Sequence, residues 1–238
     1  MQKRIEISIV IPAFNEEKYI GRLLKDLQKQ SFKNFEIIVA DGGSTDNTRK
    51  IASKFSKVRI VVEKRKGIGI GRNAGAHAAR GKIIVFIDAD TTASENLLRN
   101  YDAAFKEKDI VAATGPIFPL EKTSRRMELG FKLVSVLFVK SSILIGKPSI
   151  IGSNFAIRKN IFEKIGGFDE KFMTYEDYDL SLRIRKTGRI EYLNDAIVYT
   201  SIRRVKKWGM LTFFFYHTGN ILRYNLLKKP LEKYDPIR

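Results

Sequence analysis

Short apolar runs alternate with amphipathic segments through the first half of this chain, and their order predicts an architecture. Residues 5–11, 35–40, 58–62 and 83–87 are brief stretches rich in Ile and Val, the pattern of strands buried in a sheet. After the first, Tyr19, Ile20, Leu23, Leu24 and Leu27 recur at helical spacing behind Asn15, a residue type that caps helices. A second helix is expected through Ile51, Ala52 and Phe55, and residues 67–81 read as a glycine-rich turn and short helix. Strand, helix, strand, helix, strand in this order predicts an α/β fold, a Rossmann-like, mainly parallel sheet flanked by helices on both faces.

The second half is less regular. Leu97, Leu98, Tyr101 and Phe105 share one face of a helix expected over 94–106, and short strands are expected at 110–113 and 154–157. Residues 121–145 are strongly apolar but interrupted by Lys132 and Lys140. Helices are expected at 160–165 and 176–186, separated by the turn Gly166-Gly167-Phe168-Asp169, and a basic, aromatic-rich amphipathic helix over 206–227. No linker divides the chain. The expected organisation is one domain over 1–202, with halves 1–115 and 116–202, and a tail over 203–238.

A length of 238 residues with 44% hydrophobic content suits one sizeable domain with its own core. The absence of Cys excludes disulfides, thiolate metal sites and cysteine nucleophiles. An apolar strand begins by Ile5 with no signal peptide ahead of it, so a cytoplasmic location is expected. The net charge of +18, from 44 basic and 26 acidic residues, calls for a polyanionic partner or a role in solubility. Nucleic acid, anionic lipid and phosphorylated small molecules all qualify. The excess is concentrated in the tail, where Glu232 and Asp235 are the only acidic residues after position 203.

Against this basic background, Asp88-Ala89-Asp90 closes the run at 83–87, and Glu176-Asp177 opens the helix at 176–186. Carboxylates at the C-terminal end of a buried strand lie where open α/β sheets bind ligands. Two aspartates two residues apart can meet one divalent cation, which can in turn hold a diphosphate. Taken alone, the first cluster is better read as solvated strand-end aspartates, and the second as acidic residues favoured by the dipole of a helix start. Asp41-Gly42-Gly43-Ser44-Thr45-Asp46 makes a tight turn after the second strand. Its glycines let backbone approach a ligand and Asp41 can accept a base N–H, although Ser44, Thr45 and Asp46 can also cap the next helix. Pro12, Ala13, Phe14 and Glu16 leave the first strand at its C-terminal end, where backbone can line a base pocket. Arg72 follows Gly67-x-Gly69-x-Gly71. A dinucleotide fingerprint would follow the first strand rather than the third, so that reading is rejected. A guanidinium on base or diphosphate and a solvated surface arginine both stay open.

Together these blocks resemble the family-2 inverting glycosyltransferases, which carry the GT-A fold. The resemblance rests on Ser8-Ile9-Val10-Ile11-Pro12-Ala13-Phe14-Asn15-Glu16-Glu17 and Ile37-Ile38-Val39-Ala40-Asp41-Gly42-Gly43-Ser44-Thr45-Asp46-Asn47-Thr48. It continues through Gly71-Arg72-Asn73-Ala74-Gly75, Asp88-Ala89-Asp90 and Gly166-Gly167-Phe168-Asp169 to Glu176-Asp177-Tyr178-Asp179-Leu180, in the family's order. It implies a nucleotide-sugar donor, UDP- or GDP-linked, bound by residues 12–16, Asp41, Gly43, Arg72 and the Asp88-Ala89-Asp90 triplet. It implies Mn²⁺ or Mg²⁺ as cofactor, with Asp90 as direct ligand and Asp88 directed to the ribose and, through water, to the metal. Asp177 is the implied general base and Glu176 its partner, positioning acceptor or base. One base and direct displacement would invert the anomeric centre. The alternative is a non-catalytic nucleotide-sugar-binding protein with the same fold. His217, set among aromatics, is left out of the site. The chain has neither the Gln-x-x-Arg-Trp motif nor the several spans of the long processive relatives, so one sugar per encounter is expected.

Within 121–145, Met127, Phe131, Val134, Leu137, Phe138 and Ile145 recur at helical spacing, but Lys132 and Lys140 leave too short an uncharged run to span a bilayer. In the tail, Trp208, Tyr216 and neighbouring Phe residues are flanked by Arg203-Arg204, Lys206-Lys207 and Lys228-Lys229, as in helices that lie on anionic lipid. Peripheral association with the inner face of the cell membrane and a lipid-linked or glycan acceptor are expected. The alternative packs both helices on the domain itself. No nucleic-acid partner is expected, because charge alone supports one.

Overall fold

All four apolar runs of the first half are strands of one sheet, and the segments between them are helices. The computed structural model describes residues 5–227. Its first half comprises β1 (Ile7–Ala13), α1 (Ile20–Lys29), β2 (Phe35–Asp41), α2 (Thr48–Ala52), β3 (Val58–Val62), α3 (Ile68–Ala78), β4 (Ile83–Ile87), β5 (Thr91–Ala93), α4 (Leu97–Ala104), β6 (Ile110–Thr114) and β7 (Ile117–Pro119). One long helical rod follows, made of α5 (Arg125–Lys132), a π-helical stretch over Leu133–Phe138 and α6 (Val139–Leu144). Then come β8 (Asn154–Arg158), α7 (Lys159–Lys164), α8 (Glu176–Ile184), β9 (Arg189–Tyr192), β10 (Val198–Thr200), α9 (Arg203–Trp208) and α10 (Met210–Leu227).

The main sheet runs β3-β2-β1-β4-β8-β6-β9. β1 pairs in parallel with both β2 and β4, so the chain winds outward to β3 and returns on the other side of β1. That reversal opens a crevice at the C-terminal ends of β1 and β4. The sheet is mixed, because β8 enters antiparallel between β4 and β6. Alternate residues of β1 face opposite layers. Ile7, Ile9 and Ile11 pack with Ile20, Leu23, Leu24 and Leu27 of α1 and with Tyr101 of α4. Val10, with Ile84 and Phe86 of β4, packs on the other face with Phe155, Phe162, Phe168 and Leu180. There the Phe86 and Phe155 rings stack at 4.8 Å, and Phe168 meets Phe86 edge-on at 5.3 Å.

Several elements differ from the sequence expectation, among them β9, a strand of the main sheet where no strand was expected. The glycine-rich 67–81 segment holds a full helix, α3, rather than a short one. Asn15 does not cap α1; it sits left-handed at φ 56, and Tyr19 precedes the helix without a side-chain cap. The expected 206–227 helix begins at Arg203 and is broken at Gly209. A second sheet, β5-β10-β7, was not expected at all. The end of the tail, residues 228–238 with Lys228-Lys229, lies outside the described residues.

Glycine is used in α3 to bring the helix close to the sheet. A Cβ on Gly75 would stand 2.4 Å from Val10 Cγ1 and 3.4 Å from Ala40 Cβ. Gly75→Ala should therefore lower stability by about 1–3 kcal/mol despite the better helix propensity of Ala, because Val10 is buried and has nowhere to move. Urea denaturation of the two proteins checks this; an unchanged or raised midpoint would refute it.

Candidate functional site

Three strand ends converge on the crevice. β1 and β2 stay in register to their termini, with Pro12 opposite Ala40 and Ala13 opposite Asp41. Pro12 and Ala13 thus belong to the strand itself, and only Phe14 to Glu16 lie beyond it. The loop that follows is laced to the loop after β2. Asn15 N–H donates to Ser44 Oγ at 2.9 Å, Glu16 N–H to Thr48 Oγ1 at 2.8 Å, and Thr45 N–H to Asn15 Oδ1 at 2.8 Å. Ser44, Thr45 and Asp46 therefore join two loops, Asp46 Oδ2 accepting the Glu17 N–H at 3.1 Å while its Oδ1 accepts the Thr48 N–H at 2.9 Å.

Asp41 is fully buried at the end of β2. Its Oδ2 accepts the N–H groups of Gly43 and Ser44 at 3.1 and 3.0 Å. Its Oδ1 is also buried and has no hydrogen-bond partner among the described residues. An unsatisfied buried acceptor costs about 1–3 kcal/mol. A ligand N–H at this edge would remove that cost.

β4 ends in the acidic triplet. Ala89 is buried, Asp88 and Asp90 are half-buried, and Thr91 Oγ1 closes the turn by donating to Asp88 O at 2.8 Å. From α3, Arg72 reaches this strand end with only 2% of its side chain exposed. Its Nη2 donates to Asp88 Oδ1 at 2.9 Å and its Nη1 to Glu176 Oε1 at 2.6 Å. One guanidinium thus joins the two acidic clusters, and the solvated alternative for Arg72 is excluded. Burial opposes its charge, but Asp88, Glu176 and Asp177 outweigh burial and raise its pKa.

The second cluster opens α8 directly after Tyr175, which is left-handed at φ 63. Both Asp177 oxygens are held by backbone: Gly152 N–H donates to Oδ2 at 2.9 Å and Tyr178 N–H to Oδ1 at 2.8 Å. Gly152 is required here, because a Cβ would fall 2.7–2.9 Å from three atoms of the Arg72 guanidinium. Burial, and then the charge of Asp177, push the Glu176 carboxyl above its ordinary range. Burial also raises Asp177, with Arg72 and the two N–H groups opposing it. Asp90 is pushed up to about 7, first by burial and then by Asp88, against the pull of Arg203.

A family model, Glycosyl transferase family 2, matches residues 8–166. The chain belongs to that family. Among similar family-2 proteins is a dolichyl N-acetyl-alpha-D-glucosaminyl phosphate 3-beta-D-2,3-diacetamido-2,3-dideoxy-beta-D-glucuronosyltransferase of Methanococcus voltae, 30% identical over 222 residues, covering 85% of this chain and 69% of that protein. An uncharacterized glycosyltransferase of Nostoc is 24% identical over 212 residues, covering 83% of this chain and 65% of that protein. The chain spans only 40% of GlyG of Streptococcus pneumoniae and 51% of the probable glycosyltransferase YdaM of Bacillus subtilis. Among solved structures, S. aureus TarS 1-349 superposes with a TM-score of 0.71 at 22% identity, covering 96% of this chain and 67% of that chain. The mannosyltransferase PcManGT of Pyrobaculum calidifontis gives 0.72 at 18%, covering 99% and 67%. These likenesses establish the fold this family-2 chain shares with them.

Three residues of this family-2 site escaped the sequence reading of roles. Asn73 clamps the Phe168 backbone in both directions, donating to its carbonyl and accepting its N–H, each at 2.9 Å. It lies within Gly71-Arg72-Asn73-Ala74-Gly75, so a signal exists. Gly152 had none, as an isolated glycine in an irregular stretch. Arg203 was read as a basic flank of the tail. Its side chain instead turns into the crevice, where Nη1 and Nη2 donate to Glu16 at 3.1 and 2.6 Å and Nη2 stands 3.2 Å from Asp90 Oδ2.

Arg72→Met would leave Glu176 and Asp88 without their cation, at a cost of about 3–5 kcal/mol near neutral pH. Glu176 and Asp177 have folded-state pKa values above their unfolded ones, so the native state binds more protons between the two. The carboxylate cost is therefore full above the folded pKa and is relieved as pH falls towards the unfolded value. The deficit of Arg72→Met should shrink as pH falls towards the folded pKa of Glu176, about 7, in denaturation experiments. A deficit that does not change with pH would show that Arg72 does not neutralise this cluster.

Proposed function

We propose that this family-2 protein is an inverting glycosyltransferase that moves one sugar from a UDP- or GDP-sugar to an acceptor hydroxyl or phosphate, with Asp177 as general base. The observation that carries the proposal is the buried Arg72, which draws the strand-end triplet and the start of α8 to one crevice. The donor class is supported by relatives of the same fold: TarS was solved with UDP and with UDP-GlcNAc, and PcManGT with GDP-Man and Mn²⁺.

In this reading the free Oδ1 of Asp41 accepts the imide N–H of uracil or the equivalent edge of guanine, and Pro12, Ala13, Phe14 and Gly43 line the base. Asp88 serves the ribose. Asp90, with Asp88, would hold Mn²⁺ or Mg²⁺, whose hard-oxygen preference these carboxylates meet. Among the described residues no group of three or more acidic or His side chains is placed to enclose a metal. The remaining ligands would then be diphosphate and water, as is common for Mg²⁺. The bound cation supplies Lewis-acid stabilisation of the leaving diphosphate. Asp177, fixed by two N–H donors and raised in pKa by burial, takes the acceptor's proton as its oxygen attacks the anomeric carbon. The new C–O bond forms as the bond to the diphosphate breaks, with inversion. Glu176, locked by Arg72, positions the base. A non-catalytic binder would have no use for Asp177 so held.

The acceptor reading rests on the rod from α5 to α6. Its inner face buries Ser135, Val139 and Ser142, while Leu129, Leu133, Leu137, Phe138, Leu144 and Ile145 are exposed. Arg125, Arg126, Lys132 and Lys147 are exposed beside them. Among the described residues no helix is long and apolar enough to cross a membrane. An exposed apolar face edged with cations fits the surface of an anionic bilayer. We assign the protein to the inner face of the cell membrane. A lipid-linked or glycan acceptor follows, and the relative from Methanococcus voltae bears a dolichyl N-acetyl-alpha-D-glucosaminyl phosphate in its name.

Asp177→Asn should reduce transfer by at least about a hundredfold while leaving thermal stabilisation by UDP- or GDP-sugars nearly intact. Near-normal transfer by this variant would remove Asp177 as base. The intact chain should also float with anionic liposomes at moderate salt and lose this when Leu133 and Leu137 are both changed to Ser. No co-flotation of the intact chain would end the membrane reading.

A further inference from the structure

Arg203 is a cation of the site with no part in the reaction above. It opens α9, and its guanidinium takes both oxygens of Glu16 while standing 3.2 Å from Asp90 Oδ2. The Tyr19 ring lies 5.0 Å away. The neighbouring backbone is fixed to the same place. Ser201 N–H donates to Asp90 O at 3.1 Å, and Glu121 accepts from Ser201 Oγ and Ile202 N–H at 2.9 and 3.0 Å. The arginine is thus delivered to the triplet by an anchored segment.

Resting on the reading that Asp90 ligates the donor's cation, we propose that Arg203 holds that cation's place. The guanidinium and the divalent ion compete for Asp90, and Arg203 passes to the incoming diphosphate when the metal–nucleotide complex binds. A guanidinium and a divalent cation on one carboxylate repel each other, so the ion and the Arg203–Asp90 pair exclude one another. Glu16 gives Arg203 a second, bidentate partner, so it can leave Asp90 by a swing of its side chain without leaving the crevice. The metal alone meets an occupied seat and gains little. With the diphosphate it arrives with an anion that Arg203 can accept in exchange. Metal and nucleotide therefore bind with positive coupling, and Arg203 carries part of it.

The test measures Mn²⁺ binding by the electron paramagnetic resonance signal of the free ion, with and without UDP or GDP. It compares the intact chain with Arg203→Gln, Arg203→Lys and Asp90→Asn. Arg203→Gln should bind Mn²⁺ alone about threefold to thirtyfold more tightly than the intact chain, and its gain on adding nucleoside diphosphate should shrink. Arg203→Lys, whose ammonium cannot grip Glu16 and Asp90 together, should move the same way by less. Equal or weaker binding of Mn²⁺ alone by Arg203→Gln, with far-UV circular dichroism unchanged, overturns the proposal. Where Arg203→Gln does not fold, the same comparison with Arg203→Lys decides. Failure of the underlying metal reading looks different: Asp90→Asn would then leave Mn²⁺ affinity unchanged, whatever Arg203 does.

Discussion

The buried ion triad of Arg72 with Asp88 and Glu176 is the constraint around which the site is organised. A guanidinium shielded from water is tolerated only when its charge is met at close range, and here two carboxylates from distant parts of the chain meet it at 2.9 and 2.6 Å. The surroundings are shaped to the triad. Gly152 leaves the space a Cβ would occupy, the Phe168 ring lies 5.5 Å from the guanidinium, and Asn73 fixes the backbone that carries that ring. Any change that moves α8 away from β4 must therefore separate charges in a low-polarity setting.

The same burial that makes the triad costly makes its neighbours chemically useful. Asp177 lies beside Glu176 and is raised by burial, yet it is aimed by Gly152 and Tyr178 N–H groups rather than by Arg72 directly. A carboxylate that is oriented, displaced upward and not consumed by an ion pair is suited to accept a proton. At the same end of the parallel strands, on β2, Asp41 keeps one oxygen unpartnered among the described residues. The triplet between them faces a guanidinium on each aspartate, Arg72 on Asp88 and Arg203 on Asp90. The crevice thus balances its carboxylates from both sides.

Away from the crevice, the rod from α5 to α6 presents two different faces. Small and branched residues, Ser135, Val139 and Ser142, meet the domain, and larger apolar side chains face outward. Tyr192 ties the rod to β9 by donating to Ser135 O at 2.8 Å, and Lys140 lies 5.0 Å over the same ring. Packing on the domain and exposure of an apolar face are therefore not alternatives for this helix; it does both.

The strands at 58–62 and 83–87 and the buried face of α1 were legible in the sequence, because local periodicity and Ile/Val content determine which segments can be buried in a sheet. The family blocks were equally legible, since backbone turns and strand-end carboxylates leave a linear trace. What the sequence left open was decided by contacts between distant segments. β5, β7 and β10 have three residues each and pair across long separations, so no period marks them. Arg72 read as solvated or ligand-bound until Asp88 and Glu176 closed on it. Arg203 read as a surface cation until the turn after β10 brought it to Glu16. Periodicity reports which face of a segment is apolar, but a charge finds its partner only when the chain has folded, and in this protein those partners make the site.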